Sequence, residues 1–208
     1  MSIQKARLPV KTLRDQYADA TRRTLLDAAR TVFATHGYEG ASLDDVATKA
    51  KATKGAVYHH FKDKKALFSA VYEEMAKALT EEVSRHAGTK AAGQLDRAIT
   101  GFLEASTKPQ MLRVMLQDGP AVLGEQCRVI DGRYGLGLLV GLLEKSADPA
   151  LLESVGSVLL AKVALAMVIE AAQAIGAASD PRAERRRVDR LMRHIFTSLS
   201  HPAAPRER

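Results

Sequence analysis

Ser42–Phe61, SLDDVATKAKATKGAVYHHF, is the stretch on which the reading of this chain turns. Ser42 is placed to cap a helix start, its hydroxyl accepting a hydrogen bond from one of the free N–H groups there. Leu43, Val46, Ala47 and Ala50 follow at helical spacing and give a short helix with one apolar face. Lys51 and Ala52 make a tight break, and Thr53 offers a second hydroxyl cap. Lys54 to about His60 then reads as a second short helix, with Val57 and Phe61 four apart on its inner side. Two short helices across a turn of three or four residues form the helix-turn-helix pattern. The second helix has small residues, Gly55 and Ala56, near its tip, with Lys54, Tyr58, His59 and His60 around them. Small residues let a backbone approach a DNA major groove, while longer polar ones reach phosphates and base edges. Short helical pairs with a few basic residues also occur in ordinary all-α domains, so the flanks decide.

Charge is the first flank. The 208 residues carry a formal net charge of +7. Residues 1–65 hold 13 Lys/Arg against 7 Asp/Glu, leaving +6 there and only +1 for the rest. An excess gathered around the helix pair is the electrostatic footprint of a polyanionic partner, most simply nucleic acid. A basic face that serves only solubility is the plainer reading. The chain is 46% apolar with no Trp, is dominated by good helix formers, and has no period-two runs of β-branched residues, which predicts an all-α protein. One cysteine, Cys127, excludes an internal disulfide and a Cys-based metal site and fits a reducing cytoplasm. The opening stretch lacks the apolar core of a signal peptide. Leu151–Ile175, the most apolar segment, contains Glu153, Lys162 and Glu170, which a membrane span rarely accepts. A cytoplasmic protein without a membrane partner is expected.

In chain order, Met1–Asp19 has scattered charges, Pro9 and no sustained helical stripe, and reads as a mobile arm. A first helix is predicted from about Thr21 to His36, with Leu25, Leu26, Ala28, Ala29, Val32 and Phe33 on its apolar face and Gly37 ending it. Arg22 and Arg23 would then stand at its start, where the helix dipole disfavours cations by roughly a few tenths of a kcal/mol and a phosphate would offset the cost.

Thr21–Ser42 (TRRTLLDAARTVFATHGYEGAS), Leu43–Ala47 and Lys54–Phe68 (KGAVYHHFKDKKALF) together resemble, without gaps and over about the first third of the chain, the DNA-binding domain of the TetR family of bacterial transcriptional regulators. The resemblance implies a repressor-type regulator that binds a pseudo-palindromic double-stranded DNA operator as a homodimer and is released by a small-molecule effector. By position, Thr53, Lys54, Gly55, Ala56, Tyr58 and His59 fall on the recognition helix, Tyr58 where the family commonly contacts a phosphate. Lys64 matches a lysine that grips the DNA backbone, and Ser42 matches the hydroxyl cap of the motif's first helix. Many relatives have a bulkier or hydrogen-bonding residue where Ala56 stands. Base reading is then left to Lys54 and His59, with Ala56 offering apolar contact to a thymine methyl. His60 is equally suited to a role inside the fold.

Asp63 is a favourable cap for a long helix to about His86, ended by Gly88 and spanning roughly 36 Å. Further helices are predicted over 93–106 and 109–117. Asp118-Gly119-Pro120, Asp148-Pro149 and Asp180-Pro181 announce others near 120–145, 149–176 and 181–199, since Asp caps and first-turn Pro both favour helix starts. The expected division is a flexible basic arm over residues 1–20, a helix-turn-helix domain over 21–66 and a helical ligand-binding and dimerisation domain over 67–208, with about nine helices in all. The last two helices are the expected dimer interface, through Leu159, Val163, Val188, Leu191, Met192, Ile195 and Phe196, two from each chain making a four-helix bundle.

For the effector, the resemblance places a pocket between the middle helices. Phe102, Met111, Met115, Gln126, Cys127, Val129, Ile130, Tyr134 and Met167 are its candidates, an apolar and adaptable set with a few polar anchors. Each such residue is more often plain core than pocket wall. Lys162, Glu170 and Gln173 share one sector of an otherwise apolar helix and fit a solvated edge, an interfacial pair or the polar end of a cavity. A helical enzyme and an interaction module without DNA affinity are the alternatives. The six His residues and Cys127 form no catalytic constellation. His59 and His60 diverge by ~100° on a helix and make a poor metal pair. There is no Walker-type loop. No catalytic residue, metal ligand or cofactor is expected.

Overall fold

The computed structural model describes residues 12–90 and 92–200. Among them run α1 (Leu13–Gly40), α2 (Leu43–Ala50), α3 (Lys54–His60), α4 (Lys64–Ala87), α5 (Gln94–Ala105), a π-helix (Met111–Asp118), α6 (Gly119–Leu123), α7 (Glu125–Ser146), α8 (Pro149–Val155), α9 (Ser157–Ala177) and α10 (Pro181–Ser200), with no strand. The fold is all-α, as composition predicts. The nine expected helices become eleven because two of them break, each at a glycine of positive φ: Gly124 at 55° and Gly156 at 78°.

The first helix begins well before Thr21. Thr12 and Asp15 form a capping box, Thr12 Oγ1 accepting from Asp15 N (3.2 Å) and Asp15 Oδ2 accepting from Thr12 N (3.1 Å). Residues 13–20 are therefore helix and not arm, while residues 1–11 of the expected arm lie outside the described residues. Arg22 and Arg23 consequently sit more than two turns inside α1, and the unfavourable dipole placement inferred for them does not arise.

The head is built where α1, α2 and α3 close over the first half of α4. Leu25, Leu26, Ala29, Phe33, Val46, Val57, Leu67 and Phe68 are all sealed from solvent. Phe68 meets the rings of Phe33 (5.0 Å) and Tyr38 (5.1 Å) edge to face, an arrangement that adds directional preference to area burial. The apolar cluster does not stop at the expected boundary near residue 66. It continues through Met111, Val114 and Met115 of the π-helix to Leu123, Cys127 and Ile130.

Gly37 turns the chain from α1 toward α2 with φ 70° and ψ 175°, a region that only glycine occupies without strain. A Cβ there would also stand 1.8 Å from Arg113 Nη2. The guanidinium can swing aside but the backbone cannot. Gly37→Ala is therefore expected to lower stability by about 1–3 kcal/mol, read as a lower Tm that Arg113→Ala does not restore. An unchanged Tm would contradict the assigned turn.

The body comprises α5 to α10. Asp148 and Asp180 cap α8 and α10 as the Asp-Pro punctuation predicts, accepting from Ala150 N (2.8 Å) and Ala183 N (2.9 Å). Asp118 departs from that pattern and makes no cap. Its carboxylate accepts instead from the distant Tyr38 N–H at 2.7 Å and pairs with Arg113 Nε at 3.3 Å. The π-helix that Asp118 closes is an uncommon element. Pro120 follows closely, and it can neither donate to the carbonyl of Leu116 nor let it approach, so the chain cannot run straight on in α register.

Among the described residues α9 alone is long and apolar enough to cross a bilayer. Here one side of it, from Leu160 to Gly176, is packed into the body's core against α7 and α10. Its other side leaves Leu159 (56% exposed) and Val163 (50%) bare, and Leu191 on α10 is equally open. Three residues expected at a dimer interface are not on that surface. Val188, Met192 and Phe196 are buried in the protomer's own core, and Ile195 is half-buried. The most apolar stripe of α10 is spent on its own body, which the sequence pattern alone does not distinguish from a stripe spent on a partner.

Candidate nucleic-acid interface and ligand cavity

The recognition element is set up by its caps. Ser42 Oγ accepts from Asp45 N (3.1 Å) and donates to Asp45 Oδ2 (2.6 Å), while Asp45 Oδ2 also accepts from Ser42 N (3.0 Å). These hydrogen bonds hold the Asp45 carboxyl below the usual carboxylate range. Lys51 ends α2 in the left-handed region (φ 53°) and carries the chain to Thr53, whose Oγ1 accepts from Ala56 N at 3.2 Å. Val57 and Phe61 anchor α3 in the head. That anchoring turns Lys54, Gly55, Tyr58 and His59 outward, with Ala56 half-buried.

Tyr58 is a large ring left 50% exposed on a helix, the placement a stacking or phosphate-contacting side chain needs. Lys54 is exposed and paired with Asp44 at 2.9 Å, which raises its pKa. Solvent screens an exposed pair of this kind, so the ammonium is free to exchange Asp44 for a contact with DNA. His60 is half-buried, and burial, His59 and Arg22 pull its pKa below the ordinary histidine value, which keeps it neutral and within the fold.

Two of the positions carried over from the family make contacts within the head. Lys64 Nζ is turned inward, donating to the carbonyls of Tyr38 (2.8 Å), Ala41 (3.0 Å) and Glu39 (3.4 Å) and lying 4.4 Å over the Tyr38 ring. These three hydrogen bonds tie off the end of α1 and hold it against the start of α4. Ser42 uses its hydroxyl within the capping box, the role its match to the family's cap implies. Exposed cations that the motif comparison passed over are Lys49, Lys62 and Lys65. Arg22 is another, its guanidinium 5.2 Å over the Phe61 ring beside the end of α3. Their signal was the +6 of the first 65 residues.

The body encloses a cavity of about 110 Å³ between α4, α5, the π-helix, α7 and α9. Phe102, Met111, Met115 and Tyr134 line it. Gln126, Cys127, Ile130 and Met167 do not. Cys127 and Ile130 lie on the correct stripe of α7 but about one turn too early, under the head, where burial raises the thiol pKa. Gln126 is at the surface, donating to Ser69 Oγ (2.9 Å). Val129 is exposed. Met167 packs in the body's core while Leu165, Val168, Ile169 and Ala172 of the same helix reach the cavity. Of the polar trio on α9, Gln173 lines the cavity, whereas Lys162 and Glu170 are exposed.

The pair that sequence reasoning missed is Tyr72 and Asp131. Tyr72 Oη donates to the Asp131 carboxylate, 3.1 Å from each oxygen. Burial pushes Asp131 up to about 6, against the opposing pull of the Tyr72 hydrogen bond. Burial, with Asp131 beside it, also keeps the Tyr72 phenol protonated. An Asp in the inward stripe of α7 was the available signal. Tyr134 turns its hydroxyl to Glu73 (2.9 Å), which also pairs with Arg133.

An outward-facing, hydroxyl-capped recognition helix on a basic head, joined to a hollow all-helical body, defines a DNA-binding regulator. The chain belongs to the tetR family of bacterial regulatory proteins: the family's N-terminal model matches residues 25–71, and the tetracyclin repressor-like C-terminal domain matches residues 92–199. It is similar to the A-factor receptor protein of Streptomyces griseus, 29% identical over 188 residues, which cover 88% of this chain and 64% of that one. It is also similar to the HTH-type transcriptional repressor AcnR of Corynebacterium efficiens, 34% identical over 97 residues, covering 47% and 48%. The matches thus span less than two thirds of the length of these curated relatives. A TetR-family transcriptional regulator from Pectobacterium atrosepticum superposes with a TM-score of 0.77 at 26% identity, over 93% of this chain and 100% of that one. The family models, AcnR and the Pectobacterium protein are named as regulators or repressors, and this chain is a regulator of that family rather than an enzyme.

Proposed function

We propose that the chain is a homodimeric repressor acting in the bacterial cytoplasm, that its two heads hold the halves of a pseudo-palindromic operator, and that a small molecule entering the cavity releases it. The π-helix carries this reading. Its Met111, Met115 and Leu116 line the cavity, while Asp118 at its end holds the Tyr38 N–H and Arg113 lies against Gly37. One element of eight residues therefore touches the ligand space and the head together. A ligand that displaces the methionines displaces the anchor of the α1–α2 turn, which gives it the differential interaction with two head positions that release requires.

Selection of binding sites from random duplex DNA is expected to return a two-fold symmetric consensus, its half-sites about one helical turn or a small multiple apart. Compounds that raise the Tm by filling the cavity are expected to weaken operator binding. A compound that fills it and leaves DNA affinity untouched contradicts the release mechanism. Asp118→Ala cuts the link. It leaves the Tyr38 N–H without its acceptor, at about 1–3 kcal/mol, while the cavity wall stays intact. Ligand affinity is expected to persist and the ligand-induced loss of operator affinity to shrink at least about fivefold, measured by titrating operator with and without ligand. Undiminished release in this variant would remove Asp118 from the mechanism.

A further inference from the structure

The cavity has an unusual charge balance. Among the described residues its wall is almost wholly aliphatic and aromatic, with no Lys, Arg or His, and Asp131 is the one carboxylate on it. That carboxylate is substantially buried, and the interactions that set its ionisation are burial and the Tyr72 hydroxyl, with no cation among them. Tyr72 gives it one O–H shared between both oxygens, so further acceptor capacity remains on the carboxylate. The nearby Arg133 is exposed and already paired with Glu73. A buried negative charge without a counter-ion is costly unless something compensates it.

Resting on the reading of this cavity as the effector site, we infer that the effector is a lipophilic amine, an apolar body with one protonated nitrogen seated on Asp131 beside Tyr72. An ammonium supplies the missing counter-charge and donates to the free lone pairs, while its hydrocarbon covers Ile99, Phe102, Met115 and Val168. A carboxylate of the same shape meets Asp131 as a like charge with no cation to offset it. A neutral alcohol gains the apolar contacts and a single hydrogen bond. The upward shift of the Asp131 pKa fits the same account, because burial has already weakened its charged form and a cation would restore it.

Three probes with one tail and different heads test this: octylamine, 1-octanol and octanoate, titrated below their aggregation limits into the full-length protein at pH 7.5 by calorimetry, with operator release followed in parallel. The amine is expected to bind at least tenfold tighter than the alcohol and a hundredfold tighter than the carboxylate. Asp131→Asn should bring the amine down to the alcohol's affinity and leave the alcohol unchanged. Tyr72→Phe, which keeps the carboxylate and removes its internal partner, should preserve or strengthen the amine preference. Operator binding without ligand shows that each variant is folded. Equal affinity for amine and alcohol, tighter binding of octanoate, binding of none of the three, or an amine preference that survives Asp131→Asn overturns the inference. The two readings fail separately. Asp131-dependent amine binding that leaves operator bound sinks effector release but supports the ligand class. Release by all three probes without preference does the reverse.

Discussion

Replacing Tyr58 and Lys54 together with alanine is expected to lower operator affinity about a thousandfold at moderate salt, with no matching loss of stability. Each dimer would lose four outward contacts, two from each head. At about 1 kcal/mol apiece the sum of roughly 4 kcal/mol is close to three powers of ten. The fold has little reason to respond. Both side chains point to solvent, alanine is the better helix former at each position, and the anchors Val57 and Phe61 and the Thr53 cap remain. Only the Lys54–Asp44 pair is lost, and it is exposed. Salt separates the two residues. Lys54→Ala removes one DNA-facing cation per head and should flatten the dependence of log affinity on log salt by about 2, whereas Tyr58→Ala, which removes no charge, should leave the slope alone. Wild-type affinity in the double variant would mean that α3 does not read DNA.

Much of the head was legible in the sequence because its signals are local. Caps, the αL turn at Lys51 and the spacing of Val57 and Phe61 act within a few residues, and each dictates a geometry directly. Long-range choices were not legible. Whether Lys64 faces phosphate or the carbonyls of Tyr38 and Ala41 depends on where the end of α1 lies, over twenty residues away. Asp118 reads as a helix cap until the Tyr38 N–H arrives from eighty residues upstream. The cavity shows the same division. The inward stripe of α7 can be read from its period, but where along that stripe the void opens depends on which neighbours cross it. Cys127 and Asp131 therefore look alike in sequence, and one is under the head while the other lines the void. The break at Gly156 could be seen as a glycine but not as a break, since helix interiors tolerate glycine at about 1 kcal/mol.

The same ambiguity makes the dimer the other large test. Substituting Leu159→Glu with Val163→Glu is expected to convert the protein to monomers at micromolar concentration in sedimentation, and to lower affinity for a full two-half operator about 10²- to 10⁴-fold. The two residues sit one turn apart on the face of α9 that the body leaves uncovered, and Ala166, Glu170 and Ala174 continue the strip, the alanines allowing close helix approach. At a two-fold axis each substitution appears twice, so apolar burial is replaced by four carboxylates at close quarters. The protomer itself should keep its Tm as a monomer, because neither side chain belongs to its core. Affinity for a single half-site should not change, since each head still presents Tyr58 and Lys54 as before. Val188→Glu is the instructive contrast: it lies on the stripe that sequence periodicity assigns to the same interface, but it is 6% exposed within its own body. It should unfold the protomer rather than separate two intact ones. If the α9 double variant stays dimeric with full operator affinity, the two heads are joined through some other face, and the spacing of half-sites must be derived anew from it.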